Sequence, residues 1–299
     1  MALSTLPEAM LSGLLECGLE LSFRHGRQKN INTSNTYPLI TRLQSLSFHG
    51  LGFTTGVWFD PPHPGLPWSQ LRSLAIGVYL DLDLIMDILR QIPKLEVLAL
   101  AIQETEPDVL EQLTMPLLWK FSLNAKVVTG TEVDKMLRCF ICPTLTDFTS
   151  ILHADGNWTC KTFGILKQQY NMQELREATF VGNFSLPVSA FLHNAPMLQS
   201  LTLGRNAIID DDAVIGISNG TFGRFLRELD IRFACDIGEV LGMVEARKKV
   251  VDALIKNGCT WREEITILKD VTIHTTEDEE EYEDRVDALE EAGISITFA

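Results

Sequence analysis

A leucine with apolar residues three and five positions after it recurs eight times between Leu43 and Ile231. These unit leucines, position one of each unit, are 23 to 30 residues apart: Leu43, Leu71, Leu95, Leu118, Leu145, Leu175, Leu198 and Leu226. At position six, Ser150 is the one polar exception. The alternation predicts one short strand per unit with one buried face. Because a unit of this size cannot bury its apolar face alone, the units must stack on one another.

Between the predicted strands the apolar spacing becomes helical. The stripes are Leu84, Ile85, Ile88 and Leu89; Val109, Leu110 and Leu113; Val133, Met136, Leu137 and Phe140; and Val188, Phe191 and Leu192. A proline stands two residues before the next unit leucine at Pro93, Pro116, Pro143 and Pro196. Proline cannot continue a helix and favours an extended predecessor, so it ends the helix where a strand must start. The chain is therefore predicted to repeat strand and helix, with its strands parallel.

The seventh unit carries a family resemblance. Leu198, Leu201, Leu203, Asn206 and Ile208 match the core pattern Leu-x-x-Leu-x-Leu-x-x-Asn-x-Ile. On this pattern the chain resembles leucine-rich-repeat proteins over about two thirds of its length. The resemblance implies an α/β horseshoe-shaped solenoid with about eight irregular repeats, a parallel inner sheet, helices on the convex side and capped ends. It also implies that the Asn206 side chain bonds the backbone of neighbouring coils.

A second motif points to a subfamily. The stretch Cys142-Pro143-x-Leu145, with Phe148 next, resembles the F-box/leucine-rich-repeat-like family of mushroom-forming fungi. The F-box itself is not found, because strand alternation already begins at Leu19 and leaves no room for it after Leu6-Pro7-Glu8.

The chain of 299 residues is predicted to be a single domain, because repeats contact only their neighbours. We expect an N-terminal cap over 1–38, the repeats over 39–235 and a C-terminal cap over 236–299. Within the last segment, an acidic stretch over 277–284 is interpreted as a solvated helix start, with Thr276 and Glu279 as a capping box.

Composition limits the partners. The net charge is −15, from 40 acidic and 25 basic residues, so neither nucleic acid nor an anionic membrane is expected as a partner. The basic cluster Arg247, Lys248 and Lys249 is interpreted as the solvated face of a helix. No apolar run is long enough to span a membrane, the N-terminus has no signal-peptide pattern, and six cysteines are too few for a disulfide scaffold. We therefore expect a cytoplasmic or nuclear protein.

No catalytic motif is expected to act. Gly216–Gly220 matches the Gly-x-Ser-x-Gly nucleophile elbow, with Asp230 or Asp270 and His274 in hydrolase order. The elbow needs a buried strand before Ser218 and a long helix after it, and the sequence provides neither. Cys139 and Cys142 have half-zinc spacing without a second pair, so they are assigned to packing. No enzyme, cofactor or metal site is predicted.

The primary hypothesis is a non-catalytic module for protein–protein recognition, similar to the substrate-binding half of F-box/leucine-rich-repeat ubiquitin-ligase receptors. A ligase adaptor would be a partner only if an F-box lies outside this interpretation. The alternatives are a stoichiometric inhibitor or scaffold of the ribonuclease-inhibitor kind, and a serine hydrolase centred on Ser218.

Positions three, five and seven of each unit should point away from the core, onto the inner face. The later units place acids there, so we expect a basic protein or peptide as the partner. The candidate binding residues are His49, Lys120, Asn124, Asp147, Glu177, Glu228, Asp230 and Arg232.

Overall fold

The structure is a computed structural model. It describes residues 16–20, 43–49, 68–103, 111–126, 130–153, 157–184, 187–204, 207, 209–232, 236–257, 265–275 and 279–299. Within these ranges only the backbone is described for 16–20, 48, 49, 103, 130, 131, 157, 183, 184 and 279. Asn206, Ile208, Val109, Leu110 and the capping residue Thr276 lie outside the described residues.

The protein has a mixed α/β structure built on one long parallel sheet. The strands are β1 (Glu16–Glu20), β2 (Ser45–His49), β3 (Ser73–Leu80), β4 (Val97–Gln103), β5 (Leu113–Thr114), β6 (Lys120–Lys126), β7 (Phe140–Ile141), β8 (Asp147–Leu152), β9 (Asn157–Trp158), β10 (Glu177–Val181), β11 (Asn183–Phe184), β12 (Ser200–Leu203), β13 (Glu228–Ile231), β14 (Asp270–Ile273) and β15 (Ser295–Phe298). Eleven of them form the main sheet in the order β1-β2-β3-β4-β6-β8-β10-β12-β13-β14-β15.

Helices stand between most of these strands. They are α1 (Leu82–Leu89), α2 (Gly130–Arg138), α3 (Cys160–Gln169), α4 (Val188–Asn194), α5 (Asp211–Asn219), α6 (Ile237–Lys256) and α7 (Glu283–Glu291). Short 3-10 turns lie at Trp68–Gln70, Met172–Glu174 and Glu279–Tyr282. In the part of the chain that is described, no helix combines the length and apolar character needed to cross a bilayer.

The strand of each of the eight predicted units is present, and the register is the one that the repeat predicts. Residues at position four are direct partners from strand to strand: Leu46, Leu74, Leu98, Phe121, Phe148, Ala178, Leu201 and Leu229. Residues at position six form a second row, which ends in Leu203 and Ile231. Both rows are buried wherever side chains are described, together with apolar helix residues such as Ile85, Val133 and Phe191. One face of the sheet is therefore the core.

One predicted helix is corrected. Leu113 lies in the short strand β5, which pairs in parallel with β7, and its N–H donates to the carbonyl of Cys139. Phe140 likewise lies in β7, after α2 has ended at Arg138. Only two residues lie between Leu113 and Pro116, too few for another helical turn before the proline, so the backbone is extended here.

A second correction concerns Arg247, which is not solvated. Its side chain is fully buried on α6 and donates to four carbonyl oxygens: Ile217 (2.9 Å), Gly223 (2.7 Å), Arg224 (3.0 Å) and Thr266 (2.8 Å). Burial lowers the pKa of its guanidinium to about 10. These bonds tie α6 to the end of α5, to the turn after α5 and to the segment before β14.

Ser150, the polar exception at position six, lies beneath an aromatic cluster. The Trp158 ring packs edge-on against Phe148 and Phe180, with centroid distances of 5.9 and 5.0 Å. In the sheet register Phe148 is paired with Ala178, and Phe180 with Ser150. At these four register positions the small residues Ser150 and Ala178 therefore alternate with two phenylalanines, and the small side chains leave room for the indole ring.

The main sheet continues past residue 235, the predicted start of the C-terminal cap. β14 pairs with β13, and β15 pairs with β14, both in parallel. The buried residues Leu268, Val271 and Ile273 have the spacing of a further unit. The division into caps and repeats stays a prediction.

Candidate functional site

The face of the sheet opposite the core is called the open face here, and it consists of the side chains at positions three, five and seven. Those at positions three and five are half-buried or exposed in every strand whose side chains are described. At position seven Ala101 and Gly204 are buried. A Cβ on Gly204 would lie 2.6 Å from the carbonyl oxygen of Phe180, so close backbone approach requires glycine there.

Charged residues concentrate at position three, where the strands start. From β6 to β14 this row reads Lys120, Asp147, Glu177, Ser200, Glu228 and Asp270. Asp147 and Glu177 are register partners, and their carboxyl groups are hydrogen-bonded to each other. This bond raises the pKa of Glu177, with smaller contributions from burial and from the charges of Asp147 and Glu228, while Lys120 opposes the shift. The Glu177 carboxyl group therefore binds a proton more readily than an isolated glutamate does.

A second polar group lies where the middle strands end. Tyr79 donates a hydrogen bond to Asn124 Oδ1 over 3.4 Å, and His153 Nε2 lies 2.8 Å from the same oxygen. Because an amide oxygen can only accept, His153 Nε2 is the donor in this contact. Tyr79 belongs to β3 and Asn124 to β6, so the tyrosine side chain spans β4 at the place where Ala101 is buried.

A third group occupies the end of β13 and β14. Arg232 Nε donates to Asp230 Oδ2 over 2.8 Å, and His274 Nε2 lies 3.5 Å from Asp230 Oδ1. Asp230 is thus already paired with Arg232, which directly follows β13, and this leaves less of its charge available to a partner.

Of the eight candidate residues, seven lie on the open face: Lys120, Asn124, Asp147, Glu177, Glu228, Asp230 and Arg232. The side chain of His49 lies outside the described residues. Asp270 and His274 share this face but are absent from the sequence-derived set. The sequence feature that could have identified them is a further unit, Leu268-x-x-Val271-x-Ile273. It starts 42 residues after Leu226, because the long helix α6 lies between the two units.

The Ser218 motif is not assembled with its suggested partners. Ser218 lies on α5, whose Ile217 belongs to the core, and its Oγ donates to the carbonyl of Val214 over 2.6 Å. Asp230 and His274 lie close together, but on the open face. The sheet therefore separates the serine from this carboxylate–imidazole pair.

The buried cysteines are poor nucleophiles. Burial raises the pKa of both Cys139 and Cys142 to about 12, so each is a neutral thiol near pH 7. Among the residues that the structure describes, no group of three or more His, Cys, Asp or Glu side chains could hold a metal ion.

Comparison with solved structures gives distant likenesses. No protein-family model matches the chain, and no curated protein matches it. A crystal structure of a protein from Bacteroides fragilis has a TM-score of 0.47 at 10% identity, over 89% of this chain and 66% of that one. The structure of InlP from Listeria monocytogenes has a TM-score of 0.29 at 15% identity, over 66% of this chain and 58% of that one. The chain thus spans under two thirds of either structure.

Proposed function

We propose that the chain is a leucine-rich-repeat solenoid that recognises a protein partner on the open face of its sheet. The observation that carries the proposal is the sheet itself: one face is buried against helices, and the other presents mostly polar or small side chains in regular rows. In repeat proteins, stacked units create extended surfaces of this kind for binding.

The chemistry of the face favours a basic partner. Asp147, Glu177, Glu228 and Asp270 lie in one row, with Lys120 as the row's single base between β6 and β14. A surface of one sign steers partners of the opposite sign and makes association weaker as salt rises. The net charge of −15 adds to this field over longer distances.

Charge reversal tests the role of this face. The triple variant Glu177→Lys, Glu228→Lys and Asp270→Lys changes the open face, and the control Asp287→Lys, Glu290→Lys and Glu291→Lys makes the same charge change on exposed residues of α7. Proteins captured by the wild type should be lost by the first variant and kept by the second, with unfolding curves showing that both are folded. Equal recovery by both variants would contradict the proposal.

A finer proposal is that the chain is the substrate-binding part of an F-box/leucine-rich-repeat ubiquitin-ligase receptor. It is supported by the Cys142-Pro143-x-Leu145 resemblance. Both Cys142 and Leu145 are buried where one unit meets the next, and Cys142 forms a β-bridge with Tyr170. Co-purification of the native protein with the ubiquitin-ligase adaptor tests it, and an adaptor-free native complex would contradict it.

A further inference from the structure

Two large apolar side chains are exposed beside the start of β6. Leu117 is 48% exposed and Trp119 is 41% exposed, although Leu118 between them is fully buried. Tryptophan side chains are highly buried on average, and tryptophan is enriched in interface hot spots. The other large apolar side chains that the described part of the chain exposes are Ile215 on α5 and Ile255 on α6, both remote from the open face.

Backbone hydrogen bonds fix the position of Trp119 next to the open face. Its N–H donates to the carbonyl of Glu96 over 3.0 Å, and its own carbonyl accepts from the N–H groups of Thr146 (2.9 Å) and Asp147 (3.0 Å). Trp119 directly precedes Lys120, the first open-face residue of β6. It therefore lies at the rim where the strands start, beside Asp147.

Acidic groups of the position-three row lie next to Trp119, with Lys120 as the base between them and the tryptophan. Asp147 is the register partner of both Lys120 and Glu177, and the carboxyl groups of Asp147 and Glu177 are joined by a hydrogen bond. Beyond Glu177 the row continues with the neutral Ser200 and then Glu228. An exposed tryptophan, joined to Asp147 by a backbone hydrogen bond, thus stands next to a pair of carboxyl groups that a positive charge would stabilise in the ionised form.

We propose that Trp119, Asp147 and Glu177 seat an arginine side chain of a protein partner, while Leu117 contacts an apolar residue next to that arginine. This inference rests on the proposed recognition function and names the anchor within it. Arginine fits because its planar guanidinium stacks on an aromatic ring and donates in parallel to carboxylate oxygens. Lysine, a compact and strongly hydrated charge, gains less from the same site.

The test uses the full chain and a defined probe. Capped Ser-Leu-Arg-Leu-Ser peptide is titrated into ¹⁵N-labelled protein, and the Trp119 indole N–H signal is assigned from its loss in Trp119→Phe. A second peptide carries citrulline, which keeps the shape of arginine without its charge, and a third carries lysine. The arginine peptide should shift the Trp119 signal saturably, and the citrulline peptide should bind at least about tenfold more weakly, as expected for loss of a charge-assisted hydrogen bond.

Variants locate the site. Trp119→Ala and the double variant Asp147→Asn with Glu177→Gln should each weaken arginine-peptide binding by about tenfold or more, whereas the control Ile255→Ala should leave it unchanged. Equal binding of the arginine and citrulline peptides would overturn the assignment. So would an unshifted Trp119 signal, or shifts that depend on protein concentration without peptide, which would indicate a second copy of the chain on this surface.

The two proposals fail in different ways. If charge reversal abolishes partner capture but the arginine peptide leaves Trp119 unshifted, the open face still binds partners and the proposed anchor is wrong. If capture survives charge reversal and the peptide also fails, both proposals are wrong.

Discussion

Replacing the buried Arg247 with methionine should destabilise the protein by about 3 kcal/mol. The four hydrogen bonds from the guanidinium to carbonyl oxygens are 2.7 to 3.0 Å long, and a bond to a charged group contributes about 1.5 kcal/mol at the low end, giving about 6 kcal/mol in all. Against this stands the cost of burying the cation. The lowered pKa of the guanidinium shows the direction of this cost, so we take about half of the sum as the net loss.

The measurement is urea unfolding followed by circular dichroism, with Lys249→Met as the control. Lys249 is exposed on the same helix two residues away, so its substitution should change stability by less than about 0.5 kcal/mol. Methionine retains most of the volume of the arginine stem, so the difference between the two variants reports mainly the lost hydrogen bonds. If Arg247→Met were as stable as Lys249→Met, the hydrogen bonds from the guanidinium to the four carbonyl groups would not stabilise the fold.

Five further substitutions test the core and the carboxyl pair. Leu98→Ala, Leu123→Ala and Leu201→Ala remove side chains that are fully buried between strands, so each should cost about 2 to 5 kcal/mol of unfolding free energy; a cost below about 1 kcal/mol at all three would mean that the register is wrong. Ser150→Ala removes a buried hydroxyl that has no hydrogen-bond partner among the described residues, so thermal unfolding should show a gain of about 1 kcal/mol, and a loss of stability would mean that the hydroxyl is satisfied. The folded pKa of Glu177 is raised, so the contribution of this residue to stability is fully present below its unfolded pKa and is lost as pH rises through the folded pKa. Glu177→Gln should therefore stabilise the protein by a few tenths of a kcal/mol near pH 7, because solvent screening limits the gain. In acid this advantage of the glutamine variant should vanish. An advantage that grew on acidification would contradict the raised pKa.

The repeat predicted the sheet well because strand periodicity is a local property. Every position-four residue from Leu46 to Leu229 pairs with its counterpart, and the register follows from which residues must be buried. Alternation likewise placed seven candidate residues on the open face. An alternating pattern can be recognised from adjacent residues alone, so it is visible in the sequence.

The remaining features depend on contacts that sequence spacing does not contain. Arg247 stands beside two lysines, and only the approach of four distant carbonyl groups makes its burial possible. Ser150 breaks the apolar row at the place where Trp158, eight residues later, packs against Phe180, the register partner of Ser150. The pairing of Asp147 with Glu177, and of Asp230 with His274, requires the register as well as the alternation.

The arrangement of bases along the rim indicates where a basic partner should bind most strongly, and this is not at the later strands, where the sequence alone placed it. Glu177, Glu228 and Asp270 each follow a base at the rim, namely Arg176, Arg227 and Lys269, whereas Asp147 follows the uncharged Thr146. A cation that approaches the later strands therefore meets a positive charge beside each carboxylate, and beside Asp147 it meets Trp119 instead. Asp147→Asn should accordingly weaken binding of the arginine peptide more than Glu228→Gln does, and the loss should shrink as salt is raised, because salt screens exposed charges. A larger effect at Glu228 would mean that the acidity of the later strands, rather than the rim beside Trp119, determines where the partner binds.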